Sequence, residues 1–142
     1  MKNQADSKRP IKTNVSFHDF LQIIIGAFIL AIPVGFTQEV WELGETLSIF
    51  KILVIILLTF FFIGIFTYYH YHRKNIMKNP IYHLSEMTKR IFATYIISFI
   101  VVALFLWSID VTHWNDNAIL AFKTVAIVTF PSSIGAVISD RV

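Results

Sequence analysis

The sequence predicts an all-α membrane protein with four transmembrane helices, kinked first and fourth spans, and both termini in the cytoplasm. Three observations lead there. Of the 142 residues, 56% are hydrophobic and only 15% are charged, where soluble domains carry about 25% charged residues. The apolar residues gather into four runs, each close to the roughly 20 residues that a helix needs to cross a bilayer. Charge is also segregated. Lys2, Lys8, Arg9 and Lys12 lie before the first run, Arg73, Lys74, Lys78, Lys89 and Arg90 between the second and third, and Arg141 after the fourth. Glu39, Glu42, Glu45, Asp110 and Asp116 occupy the other two connections. Because Lys and Arg are retained on the cytoplasmic side, this pattern predicts acidic connections that face outward.

Residues 1–19 read as a flexible cytoplasmic arm, and residues 20–142 as a four-helix transmembrane domain with spans at about 20–41, 49–69, 91–107 and 118–138. The first run contains Pro33 and continues into acidic residues with no small-residue cleavage site, so it is expected to be kept as a span rather than removed as a signal. Pro33 lacks the donor for the carbonyl of Ile29, which predicts a kink in its outer half. The second run, from Ile49, ends in Tyr, His and Arg, residues suited to the headgroup level. Asn79-Pro80 suits a helix start, with Asn as cap and Pro at the first helical position. The segment from Pro80 to Arg90 is then expected to lie at the interface before the third span, in which Thr94 and Ser98 share a face. A polar turn, Asp110 to Asn117, leads into the fourth span, which carries Lys123 and a predicted break from Thr129 to Gly135.

Ala27, Ala31 and Gly35 are spaced by four and form a small-residue packing stripe, along which another helix can approach closely. One step beyond them stands Glu39, with Glu42 three residues on. Carboxylates beside a span face protein or water rather than lipid, so these two are candidates for an ion pathway and its selectivity; the ordinary alternative is a pair of interfacial acids. Repeated around an axis in a homo-oligomer, they would form a ring that concentrates cations and rejects anions. Lys123 is costly inside a membrane and is expected to pair with Glu39, as structural glue or as a gate, unless it snorkels to the surface. In the fourth span, Thr129, Pro131, Ser132, Ser133 and Gly135 are a candidate broken-helix backbone site, since freed carbonyls coordinate ions in many transporters. The alternative is a kinked helix whose hydroxyls satisfy its own backbone.

Other chemistry is weakly represented. The absence of Cys excludes disulfides and thiolate sites. His70 and His72 are two apart and diverge on a helix, while Asp110, His113 and Asp116 read more simply as solvated cap residues than as a cation site. No nucleophile with a partnered base and no phosphate-binding glycine loop occurs, so neither an enzyme, a metal centre nor a cofactor is expected. The net charge of +3 belongs to the flanks of membrane spans, which points to lipid rather than nucleic acid as a partner.

Through GAFILAIPVGFTQEVWELG and FPSSIGA the chain resembles a domain-of-unknown-function family of small predicted bacterial integral membrane proteins. The matching positions are Pro33, Glu39, Trp41, Leu43, Gly44, Pro131, Ser132, Gly135 and Ala136. The resemblance implies a membrane-embedded helical fold and brings no activity with it; the four spans lead to the expectation of a multi-pass protein of the cell membrane. The leading expectation is therefore a homo-oligomeric cation channel or passive ion pathway with outer-end carboxylates. A non-catalytic accessory or scaffold subunit, and a small cation- or proton-coupled transporter, are the alternatives.

Overall fold

The computed structural model describes residues 17–73, 80–112 and 115–141. Five helices follow one another: α1 (Phe17–Gly35), α2 (Gln38–Thr46), α3 (Ile49–Arg73), α4 (Pro80–Ser108) and α5 (Ala118–Arg141). Four of them are long and apolar enough to cross a membrane, over Phe17–Gly35, Ile49–Tyr69, Leu84–Ser108 and Ala118–Asp140. The described residues contain no strand.

The helices do not share the burial equally. α5 has the lowest mean hydropathy of the four spans, 1.6, yet 61% of its span lies inside the protein, against 17% for α3 with its mean hydropathy of 2.9. The two facts have one cause. A helix surrounded by lipid must be apolar, whereas one enclosed by other helices can carry polar groups if they find partners. α5 is thus the central helix, packed against α1, α2, α3 and α4. Leu57, Phe61, Ile96, Ile100 and Leu104 on α3 and α4 are exposed, as lipid-facing side chains are.

Two glycines set the closest approach. A Cβ on Gly26 would strike the carbonyl oxygen of Gly135, and one on Gly135 would strike that of Gly26. α1 and α5 therefore cross backbone to backbone, the geometry small residues allow in membranes. The hydroxyl of Ser132 donates to the carbonyl of Ala27 across this crossing at 2.8 Å. Ser132→Ala is expected to cost about 1 kcal/mol, the net worth of one such bond, read as a lower unfolding midpoint in detergent.

The chain interruption predicted in the fourth span is not there. α5 runs as one helix through Pro131. A proline removes a single donor, and packing against α1 on the Gly135 side holds the helix across that gap. Of the three hydroxyls there, Thr129 bonds the carbonyl of Val125 at 2.6 Å and Ser132 reaches α1, while Ser133 has no hydrogen-bond partner among the described residues. The interruption comes instead after Pro33, where α1 stops at Gly35, six residues before the predicted end of the first span. The hydroxyl of Thr37 donates to the carbonyl of Val34, and the Trp41 indole N–H to that of Gly35 at 3.0 Å, so the turn absorbs carbonyls that have lost their helical partners. α4 runs as one helix from Pro80 through the third span, as the Asn79-Pro80 start predicted.

Candidate functional site

Polar side chains lie in two zones along α5, divided by an apolar layer. At the end of the bundle where α1 begins and α5 ends, Arg90 of α4 stands between two carboxylates. Its Nη2 is 2.8 Å from Oδ2 of Asp140 on α5 and 3.5 Å from Oδ2 of Asp19 on α1. The Arg90 and Asp140 side chains are 7% and 2% exposed. A guanidinium offers several donors in one plane, so it can join three helices where a lysine would hold one partner.

This ion pair also sets the register of α4 against α5. Ser98 lies eight residues on from Arg90, and Ser133 seven residues back from Asp140, so both sit roughly 10–12 Å deeper at about 1.5 Å per residue. Seven residues are two helical turns, which puts Ser133 on the α4-facing side of α5 with Asp140. Ser98 shares the buried side of α4 with Val101 and Val102, whose packing partners include Ala136 and Val125 of α5. Both serines are fully buried, and neither hydroxyl has a hydrogen-bond partner among the described residues. Thr94, between Arg90 and Ser98, donates back to the Arg90 carbonyl at 2.9 Å.

Beyond the serines the interior turns apolar. Val102, Leu106, Val125 and Val128 are fully buried together with Ala31 and Ile52. Past this layer, at the other end of the bundle, opens a pocket of about 350 Å³ whose walls include Trp41, Glu45, Asp110, Thr112, Asn117 and Thr124. Its shape comes from how α4 ends. The Val111 N–H bonds the carbonyl of Leu106 at 3.0 Å and the Asp110 N–H that of Trp107 at 3.1 Å, with Asp110 at φ 60°. This is the double-bonded helix stop that glycine favours; aspartate tolerates the left-handed conformation better than most residues. The stop turns Asp110 and Thr112 back over the start of α5, which Asn117 caps through its side-chain oxygen and the N–H of Leu120.

The predicted site residues fall differently from one another. Ala27 and Ala31 are fully buried beneath α4 and α5, and the ring of Phe105 covers Gly35. The packing stripe is thus occupied within one copy of the chain and is not open to a second. Glu39 and Glu42 are exposed on α2, which turns Val40 and Gly44 toward the bundle instead. Glu42 accepts a hydrogen bond from Gln38 at 2.8 Å. Glu39 and Lys123 do not form an ion pair. Gly44 of α2 rests on Thr124, so the neighbouring Lys123 points about 100° away around α5, into a groove with Ile49, Ile52 and Phe122. Asp116 is exposed; His113 and the side chains of His70 and His72 lie outside the described residues.

Sequence reasoning missed the Asp19–Arg90–Asp140 cluster, because each residue reads as a membrane flank. The available signal was the spacing of four from Arg90 through Thr94 to Ser98, which continues one polar stripe into the charge.

The whole of this architecture falls within one family match: residues 2–141 fit the family described as "Putative integral membrane protein (DUF2391)". No curated protein and no solved structure matches the chain.

Proposed function

The chain belongs to the DUF2391 family of integral membrane proteins, and we propose that it moves small cations across the membrane along α5, through a path inside a single copy. The observation that carries this reading is the pair of unpartnered hydroxyls, Ser98 and Ser133, at one depth between α4 and α5. A buried hydroxyl without a partner costs about 1–3 kcal/mol, and a passing water or cation would give both serines one. The layer of Val102, Leu106, Val125 and Val128 closes the path in this conformation, as hydrophobic constrictions do in channels. Glu39, Glu42 and Glu45 lie at the pocket end, where negative charge raises the local cation concentration. With the chain termini in the cytoplasm, as the positive-inside rule requires, that end is the outer mouth.

Cation flux into liposomes containing the purified protein tests this reading. The double variant Ser98→Ala/Ser133→Ala is expected to fold at least as stably as the native chain, because it deletes two unsatisfied groups, and yet to lose flux by about tenfold or more. Glu39→Gln is expected to slow entry only at low ionic strength, where surface charge is unscreened. If the double variant conducts normally while Glu39→Gln changes ion selectivity, the path runs between copies as a channel. Absence of flux under every gradient would instead favour the accessory-subunit reading.

A further inference from the structure

We infer that the pocket between α2, the end of α4 and the start of α5 binds a primary alkylammonium ion. Two carboxylates, Glu45 and Asp110, line it, and no Lys or Arg does among the described residues. Thr112 also lines it; this residue is only 4% exposed and its hydroxyl has no hydrogen-bond partner among the described residues. That oxygen can accept an ammonium N–H, and it repays its burial by doing so.

The remaining walls select among cations. Ile109, Val111, Leu120 and Ala121 present carbon to the pocket. Asn117 Oδ1 accepts the Leu120 N–H, and the Thr124 hydroxyl donates to the Leu120 carbonyl at 3.0 Å, which leaves the Thr124 oxygen able to accept as well. A hard divalent ion takes six to eight oxygen ligands and would leave the carbon walls unused, whereas an ammonium group on a short hydrocarbon tail meets both kinds of wall. Trp41 adds an aromatic wall held in place by its bond to the Gly35 carbonyl, and a cation near such a ring is attracted to it. At about 350 Å³ the pocket is at the small end of the range for ligand sites, which limits the tail to a few carbons.

The inference stands apart from transport, because binding is measured without flux. Calorimetric titration of the purified protein in detergent with n-butylammonium is expected to show saturable binding, with n-butanol silent at the same concentrations. Glu45→Gln, at an exposed position, and Thr112→Val, close in shape to the native residue, are each expected to weaken binding about tenfold. Calcium titration is the counter-test. No n-butylammonium binding, binding unchanged in both variants, or tighter saturable binding of calcium that Glu45→Gln removes would each overturn the assignment.

Discussion

Replacing Asp140 with alanine is expected to lower stability in detergent by about 3–5 kcal/mol, the cost of breaking a buried ion pair from one side. The loss is large because the remaining partner cannot reach water. Arg90 would lose its 2.8 Å partner and stay beside Asp19 at 3.5 Å, with a side chain that is 7% exposed. The double replacement Arg90→Met with Asp140→Leu removes both charges and should recover most of that loss, since a dehydrated pair often stabilises no more than apolar side chains of similar size. Equilibrium unfolding of the three proteins checks the pattern. A change below about 1 kcal/mol in Asp140→Ala would show that the pair is solvated, as exposed ion pairs contribute only that much.

Gly135→Val is the second large effect expected, a loss of about 3 kcal/mol, at the upper end of the usual cost of overpacking. The added carbons meet the Gly26 carbonyl and the Leu30 side chain. A backbone group cannot rotate aside, so α1 must move off α5 and take the Ser132 bond to Ala27 with it. Gly64→Ala supplies the contrast. There a Cβ meets only Ile91 Cδ1, at 3.9 Å, and replacing a mid-helix glycine should leave stability unchanged or raise it by about 0.5–1 kcal/mol. Thermal unfolding of both variants reads the difference directly, and equal shifts would mean that α1 and α5 are not in close contact in the folded protein.

Both effects lie at places where reading along the chain has least power. Gly26 and Gly135 are far apart in sequence, and nothing in either local pattern says that they meet. Arg90 and Asp140 carry charges that any membrane flank carries, and only the antiparallel packing of α4 on α5 makes them partners. The polar content of the fourth span was legible, but not its meaning. TFPSSIG looks like a broken helix because proline and hydroxyl residues usually disturb a lipid-exposed segment. In the centre of a bundle the same residues pack against α1 and α4 and the helix continues. Glu39 illustrates the opposite error: its place four residues after Gly35 continues the small-residue stripe only if the helix continues, and α1 ends at Gly35. The pocket was half legible, through the polar turn that holds Asp110, Thr112 and Asn117, because two of its other walls, Trp41 and Glu45, arrive from α2.

By itself the sequence determined how many helices cross the membrane, close to where three of them begin, and that Pro80 opens one of them. These are properties of a segment in contact with lipid, and hydrophobicity over about 20 residues decides them without reference to neighbours. Tertiary structure alone decided which helix is central, that the Ala27–Ala31–Gly35 stripe is covered within the same copy, and which polar groups share a depth. Helical periodicity says which side chains share a face, but lipid is as apolar as most of the four helices. The choice of facing partner therefore rests on small-residue contacts and a few polar pairs, and these exist only once the helices are packed.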